Sequence, residues 1–101
     1  MATDKNFMLF VTEQLENAGV ITAKRMFGQY AIYSDGIVFG FIANNQLFIK
    51  PTNKGRIFIG DVIEVPAYPK AKPSFLIEDK IEDREWLSEL IRITVKELKK
   101  R

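Results

Sequence analysis

Residues 29–50 read QYAIYSDGIVFGFIANNQLFIK, and the fold turns on how this stretch pairs with itself. It holds three extended runs rich in β-branched and aromatic residues, separated by Asp35-Gly36 and Asn44-Asn45. Asp-Gly between two such runs is a strong signal for a two-residue hairpin turn. Asn tolerates the left-handed backbone that a second tight turn requires. Two-residue loops at both places fix the register. Tyr30 then faces Phe41 and Phe41 faces Phe48, Ile32 faces Phe39, and Tyr33 lies beside Val38. Gln29, Ile42 and Leu47 line up on the other side, as do Ala31, Gly40 and Ile49.

This register makes the meander apolar on both faces. One face carries Tyr30, Ile32, Phe39, Phe41 and Phe48, and the other Val38, Ile42, Leu47 and Ile49. An antiparallel sheet with one wet face alternates apolar and polar residues instead. Helices cover one face. The second is covered by other parts of the same chain or by a partner, and a homodimer is the expected form of the latter.

Outward from the meander, Phe7, Phe10, Val11, Leu15 and Ala18 recur at helical spacing. They predict a helix over about residues 5–17, capped by Asp4 or Asn6 and ended at Gly19. After the meander, Pro51 ends the third strand and Thr52 opens a short helix across Thr52–Ile59. Pro66, Pro69 and Pro73 forbid regular pairing between them and favour an extended loop. Ser74–Ile77 reads as a returning strand, paired with a shorter one near Val62–Val65. The last helix, about residues 81–99, has a stripe of Trp86, Leu87, Leu90, Ile91, Thr94 and Leu98. Its acids come early and its bases late, in the order the helix dipole favours. The sum is an α+β, two-layer sandwich with an antiparallel sheet: helix, three-stranded meander, short helix, one or two strands, long helix. At 101 residues the chain is one domain, residues 1–101.

Composition excludes much chemistry. The chain has no His and no Cys, which removes the commonest general base, thiol nucleophiles, disulfides and zinc–thiolate sites. Glu78, Asp79, Glu82, Asp83 and Glu85 alternate with Lys80 and Arg84 and lack a calcium-loop glycine, so capping and solvation explain them. Lys54-Gly55-Arg56 lacks the frame of a phosphate loop. No catalytic residue, metal site or cofactor is expected. A net charge of +2 argues against a strong nonspecific nucleic-acid binder. The opening MATDKNFMLF lacks the basic-then-apolar order of a secretory leader, and no stretch approaches a membrane span. A cytoplasmic protein is the expectation.

The most distinctive motif is Arg25-Met26-Phe27-Gly28-Gln29-Tyr30-Ala31-Ile32-Tyr33, followed by Asp35-Gly36 and running on through Phe39, Ile42, Leu47, Phe48 and Lys50. Over residues 24–50 it resembles the N-terminal domain of the TfoX/Sxy family. That pattern opens Arg-Met-Phe-Gly-Gly-Tyr-Gly and continues with a Tyr, an Asp-Gly turn, a Phe-Ala-x-Ile strand and a Leu-Tyr-x-Lys strand. Gln29, Ala31, Gly40 and Phe48 stand where the family has Gly, Gly, Ala and Tyr. A weaker match continues through Pro66-Ala67-Tyr68, Glu82-Asp83 and the Trp-bearing last helix. The resemblance implies a layout similar to secretion chaperones. It also implies a stand-alone version of a competence regulator's first domain, assisting a transcription regulator of DNA uptake through protein contacts.

Three readings of the motif follow. A non-enzymatic protein-interaction module would use Arg25, Phe27, Gly28, Tyr30, Tyr33 and Lys50 as its recognition surface. Gly28 would permit a bulge there, and Arg25 would fork onto a carboxylate or phosphate. A nucleic-acid-binding module would use Tyr30, Phe41 and Phe48 as a stacking row with Lys50, Lys70 and Lys72 for phosphates. The plain structural reading puts Met26 and Phe27 in the core and pairs Arg25 with a surface acid.

Overall fold

In the computed structural model, which describes residues 3–100, Asp4 caps the first helix. Its carboxylate accepts from the Asn6 N–H at 2.9 Å. Helix α1 spans Lys5–Gln14 and gives way to a turn in which the Ala18 N–H returns to the Leu15 carbonyl. It therefore ends earlier than its apolar spacing suggests, although Val11, Leu15 and Ala18 are all buried.

Four strands follow, not three: β1 (Ile21–Met26), β2 (Gln29–Ser34), β3 (Ile37–Ala43) and β4 (Gln46–Ile49). The turns between them are Phe27-Gly28, Asp35-Gly36 and Asn44-Asn45. Each is two residues long with positive φ at both positions, as type I′ hairpins require. Gly28 thus serves a turn rather than the expected bulge. After helix α2 (Asn53–Ile59) come β5 (Ile63–Pro66), β6 (Pro73–Ile77), a single 3₁₀ turn at Asp79–Glu82, and helix α3 (Arg84–Lys99). All six strands join one sheet in the order β1-β2-β3-β4-β6-β5, antiparallel throughout. Pro66 and Pro73 are the loop-closing pair of the β5–β6 hairpin. They lie at a strand end, where a missing N–H is tolerated, so the irregular loop is confined to residues 67–72.

The register holds as expected at Tyr33/Val38 and Ser34/Ile37, then slips by one. Phe39 is the extra residue of a β-bulge, so Ile32 faces Gly40, Ala31 faces Phe41, and Tyr30 faces Ile42. The consequence is a re-sorting of faces. Tyr30 and Ile32 join Ile42, Leu47 and Ile49 on the side that packs on the helices, while Phe41 and Phe48 point the other way. The bulge also leaves Phe39 on the helix side, where Ile32, Phe39, Ile42, Leu47 and Ile49 are all fully buried. Without it those side chains would be split between two faces, and one layer of helices would shield only half of them.

Val11 of α1, Leu15 in the turn after it, and Leu87, Leu90, Ile91 and Val95 of α3 close this inner face, and α2 packs against them with Phe58 and Ile59. Thr52 caps α2 as read, accepting from the Gly55 N–H at 3.0 Å. A second cap comes from α3: the Glu97 carboxylate accepts from the Asn53 and Lys54 N–H groups, each at 3.0 Å. Asp83 caps α3 by accepting from the Trp86 N–H. Among the described residues no helix is long and apolar enough to cross a membrane.

The outer face is covered in part by the chain itself. Ala67 and Tyr68 lie over β3 and β4, and a small second core forms from Ala43, Phe48 and Ala67 with Phe41, Val65 and Leu76 around it. Ala67 is buried, and Tyr68 meets Phe41 edge to face.

Candidate functional site

The β1–β2 hairpin tip is built to be rigid. The Thr3 N–H donates to the Gly28 carbonyl at 2.9 Å. The Thr3 hydroxyl donates to Gln29 Oε1, which also accepts from the Asn44 N–H at 3.0 Å. The Asp4 N–H donates to Asn45 Oδ1 at 2.8 Å. The N-terminal segment therefore ties the Phe27-Gly28 turn to the Asn44-Asn45 turn beside it. Each of these bonds satisfies a polar group that the turns would otherwise leave open.

On this clamp stands Phe27, with φ 51° and its surface 100% exposed. Asp35 and Asn44 occupy the same position in the other two turns, and their short polar side chains suit left-handed backbone. Phenylalanine gains nothing local there and gives up solvent-shielded area. Met26 beside it is also exposed, so neither residue is core, contrary to the plain structural reading.

Behind Phe27 lies a hollow of about 390 Å³, lined by Met26, Phe27, Gln29, Tyr30, Phe41, Ala43 and Tyr68. A second hollow of similar size adjoins it, sharing Phe41 and Tyr68 and adding Lys50, Lys72 and Pro73 among its walls. The outer face thus offers an apolar cleft next to a basic one. Lys24 belongs to the same face, because it pairs with Ala31, which pairs with Phe41.

The structure divides the residues singled out from the sequence. Phe27 and Gly28 form the hairpin tip, and Tyr33 and Lys50 belong to the outer face. Arg25 and Tyr30 are partners across β1 and β2 on the helix side, where Tyr30 packs against the main core. Arg25 is exposed, and among the described residues it forms no ion pair. The stacking row Tyr30–Phe41–Phe48 does not form. The bulge turns Tyr30 to the other side, and Phe48 is only 3% exposed, covered in the second core with Ala67. Phe41, Lys50 and Lys72 do come together, and Lys70 sits exposed in the loop next to them with φ 70°.

Three contributors were not visible in the sequence reading. The sequence pattern does not show β1, so it places Met26 in the core and gives Lys24 no role on the outer face. Tyr68 stood in a proline-rich segment with no strand pattern to orient it. A Phe-Gly pair between two extended runs was the available signal for the first two, since Gly supplies the second left-handed position of a tight turn. Among the described residues no cluster of three or more metal-ligating side chains occurs. The surface offers shape, apolar area and positive charge.

A family model for the TfoX N-terminal domain matches residues 13–98. A relative from Spirochaeta aurantia, described as an uncharacterized 12.7 kDa protein in the trpE 5' region, is 36% identical over 94 residues, covering 93% of this chain and 82% of the relative.

Proposed function

The chain belongs to the TfoX N-terminal domain family, and from that membership we propose that it is a cytoplasmic regulatory module without enzymatic activity or cofactor, which acts by binding another protein through the Phe27 hairpin tip and the adjoining outer face. Assistance to a transcription regulator, as in control of DNA uptake, is the finer form of the proposal and is supported by family membership alone. The observation that carries the binding role is Phe27: a large apolar side chain, wholly exposed, on a turn position that favours small polar residues. Aromatic side chains, Phe among them, are enriched in the cores of protein–protein interfaces relative to the rest of the surface. The absence of His and Cys supports the non-enzymatic part.

A homodimer belongs to the same proposal, placed at the opposite edge of the sheet. Ile57 on α2 is 81% exposed and Ile63 on β5 is 55% exposed. The two elements are held together by the Arg56–Glu64 ion pair at 3.0 Å. This placement leaves the hairpin tip free. Sedimentation of the wild type against Ile57→Asp tests it: a dimer that the substitution dissociates supports the edge, and a wild-type monomer at high concentration removes it.

The binding role is tested by a photo-crosslinking amino acid placed at position 27 in the native cell, with position 96 on the exposed side of α3 as control. A discrete protein adduct from position 27, missing from position 96, is the expected outcome. Adducts that do not differ between the two positions would remove the hairpin tip as the binding element.

A further inference from the structure

We infer that the outer face takes an acidic, extended segment of its protein partner, with one large apolar side chain seated between Phe27 and Tyr68 and carboxylates set against Lys24, Lys50 and Lys72. This rests on the protein-binding reading above and names the chemistry of what is bound.

The charges argue for it. Among the described residues, the side-chain ion pairs engage Arg56, Arg84 and Arg92, each with a Glu, and none engages Lys24, Lys50 or Lys72. The outward strand positions hold Thr22, Lys24, Gln29 and Gln46 as their polar residues beside Tyr33 and Ser74, with no carboxylate. Glu64, the acid of the strands, pairs with Phe75 on the helix side and is taken by Arg56. The face is therefore basic by placement, although the whole chain carries only +2. A field of one sign beside an apolar cleft attracts and orients a segment of the opposite sign.

The geometry sets the length. Lys24 lies on β1 and Lys50 just past the end of β4, three strand spacings apart, or about 14 Å across the sheet. An extended chain crosses that distance in about five residues. The hollow lies between these two strands and on the Phe27 side of the Lys24–Phe41–Phe48 row, so an apolar side chain in the middle of an acidic stretch meets it by pointing toward the Phe27 turn.

Two other occupants fit less well. A second copy on this face would set the lysines of one molecule against those of the other, and like charges brought together oppose association. Single-stranded nucleic acid wants a flat row of aromatic faces. Here Phe48 is covered, Phe41 is met edge-on by Tyr68, and what remains is concave.

The test is an NMR titration of the full chain with three probes. The first is a twelve-residue peptide alternating Glu and Asp with Leu around a central Trp. The second is the same peptide with Lys for every acid, and the third a fifteen-residue oligothymidylate. The acidic peptide is expected to shift the amides of Lys24, Phe41 and Tyr68, to bind more weakly as salt rises, and to lose about tenfold in affinity against the Lys24→Glu, Lys50→Glu, Lys72→Glu triple variant. Equal binding of the two peptides, or a triple variant that binds as the wild type does, would overturn the inference. Preferred binding of the oligothymidylate would replace it with the nucleic-acid alternative. If the acidic peptide fails while the position-27 crosslink still captures a protein, only the charge assignment falls. Failure of both removes the protein-binding reading as well.

Discussion

Tyr68 meets Phe41 across the outer face of the sheet with ring centroids 6.2 Å apart and planes at 88°. The contact ties the 67–72 loop to the middle of β3 and is the wall between the apolar and basic hollows. Edge-to-face aromatic pairs contribute about 0.5–1.5 kcal/mol beyond the area they cover. Tyr68→Ala is expected to lower unfolding stability by about 1 kcal/mol in urea denaturation and to merge the two hollows. Tyr68→Phe keeps the ring and should cost less than half as much. An alanine variant as stable as wild type would show that the loop is held by Ala67 alone.

Phe27 makes the opposite prediction. A bulky residue in left-handed backbone is strained, whereas Asn adopts that region readily and Asn-Gly is a favoured pair for this turn type. Phe27→Asn is therefore expected to raise the melting temperature, by on the order of 4 °C, while weakening partner binding. Calorimetry gives the first quantity and the position-27 logic the second. A variant that melts lower would mean the exposed ring contributes to the free fold, which removes the argument that it is kept for a partner.

Glu97 reaches from the last turns of α3 to the first turn of α2 and accepts two backbone N–H bonds there. α2 has only seven residues, with Gly55 among them, and is a poor helix on its own account. Its start depends on the two carboxylate bonds and on the Thr52 cap. Glu97→Ala should cost about 1–2 kcal/mol, and Glu97→Gln, which keeps one acceptor, about half of that. Hydrogen exchange at Asn53 and Lys54 should speed up in the alanine variant before the sheet amides respond. Unchanged exchange at both amides would show that Thr52 suffices.

What the sequence made legible follows the range of the forces involved. The Asp35-Gly36 and Asn44-Asn45 turns, the Thr52 cap and the stripe of α3 are local features, and each stands in the structure where the reading put it. Strand β1 was hidden because its turn carries Phe27 where a turn residue belongs. The bulge at Phe39 was hidden for a different reason. No local preference asks for it; it forms because one layer of helices can bury Tyr30, Ile32, Phe39, Ile42, Leu47 and Ile49 together only if the register slips. The slip decided the site as well, since it sent Tyr30 inward and left Phe41 beside the lysines. The notion of two apolar faces survived this change, because Ala67 and Tyr68 supply the second cover.

Gly40 is the one sequence mark of that bulge, and it can be tested directly. It stands next to the extra residue, opposite Ile32 and Ile49. A Cβ built on it would lie 2.3 Å from the Phe48 carbonyl oxygen and 3.2 Å from Ile49 Cδ1. The nearer atom is sheet backbone and cannot swing aside as a side chain would, so Gly40→Ala must push β3 and β4 apart or remove the bulge. Overpacking of this kind typically costs about 1–3 kcal/mol, and the upper end is expected here because the neighbour is backbone. Gly36→Ala is the matched control: nothing lies within 4 Å of its Cβ, and only the positive φ of 82° opposes it, a cost of about 1 kcal/mol. Denaturant titration of both variants should therefore rank Gly40→Ala clearly below Gly36→Ala. Equal losses would mean that β3 relaxes freely at Phe39, and a strand that relaxes there would not hold Phe41 and Tyr30 on opposite faces.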